Sequence, residues 1–509
     1  MNKSIISLAI SLAISGAANA LDFGQKIELK AKSQSSKLFG TKGTLGASSL
    51  AQAPSTAAGC DLISVAPGLK CNVVSEKPNL AANIDMMVLY PNDTVPTHII
   101  ACNEQGAGNV AVQRINLATG VAEDIISSGL VSCDPAEITP WGTVIIGEEA
   151  GTNGRMFEIL DPLSTSGVTV IGAGLLTTTS DDTKVRYIEP LGQLSFEGIS
   201  VLPNGVTYYQ DENRPGSGNG GGGYFKYIPN TLWAGGAPIT DLNNSPLVAG
   251  GRVFALRLGR NSGNTDFGQG NSAGRGVWVE VTDGKYGAPT TTAGVDRINL
   301  RAAAATLKAT TGYRPEDQDI DKKARKAGNV RVCGTNTGQD AATSGTNVGT
   351  NATNGDNNFG TTFCLTDGSI AGAAGINTTI QTVSGVAFAV NTGSIPEYQI
   401  LVEHFLDFGM PDNIAYQPGR RNWVINEDGD GASYTPARNN DIWSCLDDGA
   451  DKDQLADACV KVATLNDLNA ESTGGVFNAT GNKYYVSIQH NVTGHGVIVK
   501  ITGWKSVDE

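Results

Sequence analysis

Carboxylates recur along this chain at the ends of short apolar runs, where a strand would hand over to a turn. Glu148 and Glu149 close the run 143–147, Asp211 and Glu212 close 206–210, and Glu427 and Asp428 follow 422–426. Glu104 comes two residues after Cys102, Glu197 lies between Phe196 and Gly198, and Glu316 follows Arg314-Pro315. Asp412 follows Met410-Pro411, and Glu471 opens the segment Glu471-Ser-Thr-Gly474. If the run ends meet around one axis, these acids converge, and converging like charges persist only where hard cations neutralise them. Calcium takes about six to eight oxygen ligands, and ferric and magnesium ions also accept carboxylates. Only four histidines are present, which disfavours a histidine-rich zinc site or a facial triad. His98 and His404 read as packing or surface residues. The plain alternative for any single acid is that it is a turn residue, a common use of aspartate.

Positioning such acids takes many short strands. The chain has 64 glycines and 20 prolines among 509 residues, which favours turns over long helices. Apolar runs such as 86–90, 97–102, 110–115, 143–147 and 155–160 are four to eight residues long. They are rich in β-branched or aromatic residues and bounded by Gly, Asn, Asp or Pro, so the pattern predicts a β-propeller or sandwich. Helices are expected over 300–307, which is alanine-rich, and over 450–462, after a capping aspartate. Residues 334–385, dominated by Gly, Thr, Asn and Ala, are expected to form a long surface loop. Residues 21–59 read as a mobile N-terminal arm, leaving 60–509 as a single domain. Charged residues are 17 % and hydrophobic residues 40 % of the chain, too apolar a balance for intrinsic disorder. With Lys plus Arg at 36 against Asp plus Glu at 50, no basic groove for nucleic acid is expected.

Residues 1–20 read as a Sec-type signal peptide. Lys3 supplies the positive end, 5–14 the short apolar stretch, and Ala18-Asn-Ala20 the small-residue cleavage site. No transmembrane segment is expected elsewhere, since no other window reaches about eighteen strongly apolar residues. The mature protein is expected to be soluble, periplasmic or extracellular. All eight cysteines follow the leader: Cys60, Cys71, Cys102, Cys133, Cys333, Cys364, Cys445 and Cys459. An even number in an exported chain points to disulfides. Neighbour pairing would close four short loops, but about 105 connectivities are open.

Several segments resemble PhoX-type alkaline phosphatases. Cys133-Asp-Pro-Ala-Glu-Ile-Thr139-Pro-Trp-Gly-Thr143, running into Glu148-Glu149, is similar to that family's cysteine, TPWGT and acidic-pair block. In the family's order follow Asn103-Glu104, Phe196-Glu197, Tyr209-Gln-Asp-Glu-Asn-Arg214, Tyr224-Phe-Lys-Tyr-Ile-Pro229, Arg314-Pro-Glu316, Pro411-Asp-Asn413, Glu471-Ser-Thr-Gly474 and Val486-Ser-Ile-Gln-His490. The resemblance implies an all-β, six-bladed β-propeller with small helical insertions and long surface loops. It also implies a carboxylate cluster on the axis holding Ca2+ and Fe3+, and hydrolysis of small phosphate esters. By this resemblance the ligands are Glu149, Glu197, Glu212, Glu316, Asp412 and Glu471, with Glu104, Glu148, Asp211 and Glu427 as further candidates. Arg314 would grip a phosphate oxygen, or hold the adjacent carboxylates by salt bridges. In the family a cysteine bridges two irons, and Cys133 is its positional match. Here one extra residue separates it from the TPW block, and Cys102 is available as a disulfide partner. The family often has a second cysteine where Gly147 stands, and histidine where Asn103 stands. Two other readings were open: a calcium-dependent esterase or lactonase on the same scaffold, and a non-catalytic, secreted calcium-binding propeller that binds a partner.

Overall fold

The computed structural model describes residues 29–78, 80–214, 221–258, 273–281, 298–338, 359–383, 386–404, 407–429, 434, 436–448 and 455–505. The leader at 1–20 lies outside them. Almost every apolar run becomes an antiparallel strand, because β-branched and aromatic side chains alternating with turn residues fit a half-buried pleat. Six strands line the inside of the molecule: β1 (Ile84–Tyr90), β2 (Cys133–Ile138), β3 (Phe196–Val201), β4 (Pro315–Ile320), β5 (Pro411–Gln417) and β6 (Glu471–Phe477). Each packs beside the next, and β6 packs beside β1. Each opens a hairpin, paired respectively with His98–Asn103, Val144–Glu148, Thr207–Asp211, Asn329–Asn336, Asn422–Glu427 and Lys483–Gln489.

A single six-bladed propeller, as expected, is not what the hydrogen bonding makes. Among the described residues the strands fall into five sheets. Strand Gly274–Glu280 pairs with Gly251–Leu258 on one side, and with Val386–Asn391 and Glu397–Glu403 on the other. That double pairing fuses the hairpins of β3 and β4 into one twelve-stranded sheet with a nine-strand path from β3 to β4. The two ends of the path lie side by side, so it curls into a nearly closed barrel. Gly198 allows this approach, since a Cβ there would collide with the backbone of Asp317 and Gln318. The sheets opened by β1, β2, β5 and β6 form a separate, four-bladed, propeller-like set. The β6 sheet takes its outer strand, Lys70–Ser75, from the other end of the chain.

Three further expectations are corrected. Residues 29–59 are not a free arm. Phe39, Ala53 and Ala57 are buried in the apolar cluster between the β5 and β6 sheets, and the Ala53 amide donates to the Asn466 carbonyl. Leu300–Thr306 is helical, capped by Asn299, but the end of the second expected helix, 459–462, belongs to strand Cys459–Leu465, which pairs with Asp441–Cys445 on one side and Ile63–Val65 on the other. Its Val460, Val462, Ala463 and Leu465 are buried in the apolar cluster beneath the sheet. The stretch 334–385 is sheet at both ends, with Asn329–Asn336 paired to Thr361–Ser369; 339–358 lies outside the described residues. All four neighbour disulfides form: Cys60–Cys71, Cys102–Cys133, Cys333–Cys364 and Cys445–Cys459. Among the described residues no helix is long and apolar enough to cross a membrane.

Candidate metal centre

At one end of the inner strands lies a cavity of about 340 Å³, lined by ten carboxylates and two arginines. Its construction repeats from hairpin to hairpin. The inner strands present an acid at or next to their first residue: Asp85, Asp134, Glu197, Glu316, Asp412 and Glu471. The register slips at five of these acids, between Ile84 and Met87, Cys133 and Ala136, Phe196 and Ile199, Pro315 and Gln318, and Pro411 and Ile414; in β6 it slips further along, between Thr473 and Val476. Such bulges bend the strand and re-aim a side chain, here into the cavity. Four inner strands also follow a residue at positive φ: Asn83, Ser132, Arg314 and Met410. The partner strands deliver the residue just past their last paired position, namely Glu104, Glu149, Glu212, Thr337, Asp428 and His490.

The three doubled acids divide their work by the period-two alternation of a strand. In each, the first acid turns away from the cavity and is held by an arginine, while the second lines it. Glu148 accepts from Arg155 Nε at 2.6 Å and Nη2 at 2.7 Å. Asp211 accepts from Arg301 Nε at 2.8 Å and Nη2 at 2.6 Å. Glu427 accepts from Arg438 Nη1 at 2.6 Å and Nη2 at 2.8 Å. Glu149, Glu212 and Asp428 are the cavity members. Of the expected ligands, Glu104, Glu149, Glu197, Glu212, Glu316, Asp412 and Glu471 thus come together. Glu148, Asp211 and Glu427 do not, because each is satisfied within its own ion pair. Cys133 is disulfide-bonded to Cys102 and outside the cavity lining, so it offers no thiolate.

Sequence reasoning missed Asp85, Asp134, Thr337, Arg214 and His490, and noted Asp428 as a strand-end acid without placing it among the ligands. Asp428 was within reach: with an arginine needed for one acid of each pair, alternation sends the other to the cavity. Asp85 and Asp134 share with Glu197, Glu316 and Asp412 the place of second residue in an inner strand, a regularity visible only once the strand starts are known.

Two groups of carboxylate oxygens lie within 4.8 Å of one another: Asp134 with Glu149 and Glu197, and Asp412 with Asp428 and Glu471. Arg314 stands between them. Its guanidinium meets Glu212 at 2.8 Å, Glu316 at 2.5 Å and Asp428 at 3.0 Å, which makes the salt-bridge role the one the geometry displays. Burial and mutual repulsion push most of these acids up. Glu149 rises to about 11, by burial first and then by Glu212 and Asp134. Asp134 rises to about 7, chiefly by burial. Asp85, Glu197, Glu316, Asp412 and Glu471 are raised well above the usual range, again by burial first. Burial also acts to raise Glu212 and Asp428. Arg314 overrides it at Glu212, and a hydrogen bond with Glu471 together with Arg314 holds Asp428 at about 2. Protein cations alone therefore leave most of the ring uncompensated. An all-oxygen, acidic donor set of this kind fits hard metal ions.

The profile of the family described as alkaline phosphatase PhoX matches residues 129–491, most of the chain. The chain belongs to the PhoX family. The matched stretch carries every lining position of the cavity except Asp85 and Glu104. Family membership makes this protein a metal-dependent hydrolase of the alkaline phosphatase type, acting on phosphate esters. Among solved structures, the chain is similar to Pseudomonas fluorescens PhoX in complex with vanadate, a transition state analogue. The two share 15 % identity over 91 % of this chain and 99 % of that one, with a TM-score of 0.59. The soluble aldose sugar dehydrogenase of Escherichia coli, in its apo form, aligns over 86 % of this chain and 99 % of its own at 10 % identity. Its TM-score is 0.40. No curated protein sequence matches.

Proposed function

We propose that this PhoX-family protein is an exported phosphomonoesterase whose ring of carboxylates holds calcium, with room for a second kind of hard cation such as Fe3+ bound by oxygen. The observation that carries the reading is the pair of carboxylate groups, Asp134/Glu149/Glu197 and Asp412/Asp428/Glu471, with Arg314 between them. Cations bound there would polarise a phosphoryl group, activate a water for attack and neutralise charge developing in the transition state. The chain's own residues prepare that chemistry. The inner-strand bulges fix the acids before any ligand arrives, so little reorganisation is needed at the reacting centre. Arg314 is held by ion pairs with Glu212, Glu316 and Asp428, hydrogen-bonded to the first and last. With cations on those carboxylates, its planar fork would be free to grip a phosphate oxygen, a geometry guanidinium suits. Arg214 lines the same cavity and adds positive potential at its mouth. The vanadate complex of the P. fluorescens protein supports the same phosphoryl chemistry here. Family membership sets aside the non-catalytic reading.

The test is release of phosphate from p-nitrophenyl phosphate by the exported protein, with and without a calcium chelator. Turnover that stops on chelation and returns with Ca2+ is expected. Turnover indifferent to chelation, or hydrolysis of carboxylic esters or lactones with none of phosphate esters, would refute the reading.

A further inference from the structure

We propose that the metal centre of this protein has no sulfur ligand, and that Asp134 takes on β2 the ligand role that the family resemblance gives to Cys133. This rests on the metal-binding reading of the cavity. Two independent features carry it. Cys133 is fully buried in an apolar cluster with Cys102, Val112, Ile126 and Val144, and its sulfur is bonded to that of Cys102. It leaves β2 on the face opposite the cavity, so even a reduced Cys133 would keep its sulfur among hydrocarbon side chains. Asp134, the next residue, points the other way by strand alternation. It is 5 % exposed, lines the cavity, and its Oδ1 is buried without a hydrogen-bond partner. A buried carboxylate oxygen left bare is unfavourable unless something pairs with it. With Glu149 and Glu197 within 4.8 Å, a hard cation is the partner that this oxygen lacks.

The arrangement also has a consequence for loading. An oxygen-only site in an oxidised chain needs no thiol kept reduced until metal arrives, so the disulfide and the metal centre can form in either order.

The experiment uses the full mature protein, purified after export, with Ca2+ and Fe3+ as probes. Thiols are counted in denaturant without reductant, metal is measured by elemental analysis, and absorption is recorded on titration with Fe3+. No free thiol is expected in the wild type. Cys102→Ala, which frees Cys133, is expected to bind the same amount of metal and to show no thiolate-to-iron charge-transfer band. Asp134→Asn is expected to weaken Ca2+ binding by about 10-fold or more with its thiol count unchanged. Two free thiols in the metal-loaded wild type, a charge-transfer band, or full-strength Ca2+ binding by Asp134→Asn would overturn the proposal. A wild type that binds neither ion would instead overturn the metal reading beneath it. Should Cys102→Ala fail to fold, the wild-type thiol count and Asp134→Asn decide between the two.

Discussion

Glu148 and Glu149 are adjacent and chemically identical, yet the structure assigns them opposite fates, and glutamine at each should separate them. Glu148 has a side chain 1 % exposed, against 8 % for Arg155. It accepts two hydrogen bonds from that guanidinium, and others from the Val131 and Arg155 amides at 2.9 and 3.1 Å. Removing one partner of a buried ion pair costs about 3–5 kcal/mol, because the remaining charge stays desolvated. Glu148→Gln keeps one acceptor oxygen, so about 3 kcal/mol is expected, with Ca2+ affinity little changed. Glu149→Gln removes instead a carboxyl that burial and three acidic neighbours keep from ionising until about pH 11. In the metal-free protein it should be neutral or stabilising. In the loaded protein it should lower Ca2+ affinity by at least about 10-fold and abolish most turnover. Urea unfolding with and without Ca2+, and calorimetric Ca2+ titration, read both effects. If Glu148→Gln lost the metal while leaving stability intact, the alternation argument would be wrong for all three doubled acids.

Metal-free protein should be less stable at pH 8 than at pH 5. Asp134 titrates at about 7 in the fold against about 4 unfolded, so between these values the native state holds more protons. Stability then falls as pH rises, by about 1.4 kcal/mol per pH unit per proton, and saturating Ca2+ should flatten the dependence; melting curves in chelator showing the opposite slope would exclude it. Arg314→Met should cut kcat/KM for a phosphate ester by about 10²–10³ while elemental analysis shows the metal retained. An equal loss on a carboxylic ester would instead mark Arg314 as structural. Phe39→Ala should destabilise the protein by about 3–5 kcal/mol, because Phe39 is fully buried; a change under about 0.5 kcal/mol in urea unfolding would mean that the N-terminal segment does not belong to the core.

Seven of the ten cavity acids were legible in the sequence because local pattern decides them: an acid where an apolar run stops or starts sits at a strand end, and strand ends in a radial all-β fold converge. The sheet plan was not legible. Nothing in the run 277–281 distinguishes a strand that finishes one hairpin stack from one that pairs on both edges, since that depends on the partner's register. The N-terminal segment was misread for a related reason. Its Ser, Gly and Ala composition resembles a linker, but its few large side chains, Phe39 above all, find an apolar cluster built by residues some four hundred positions away. Composition records how much a segment can bury and says nothing of where a surface awaits it.

The same separation of scales explains how the fold tolerates ten carboxylates around one cavity. Each doubled acid gives one carboxylate to an arginine: Arg155 lies seven residues beyond Glu148 and Arg438 eleven beyond Glu427, while Arg301 comes to Asp211 from ninety residues away. Those pairs are complete without any ligand and hold the strand ends in place. The second acids share their cations instead: Arg314 serves Glu212 and Asp428 at once, and Arg214 acts on the same two. Structural charge is thus neutralised by the protein's own arginines, and functional charge is left for something from outside. A mutation of an arginine that holds a first acid should therefore loosen the cavity wall before it alters the chemistry, whereas a mutation of a second acid should alter the chemistry and leave the wall standing.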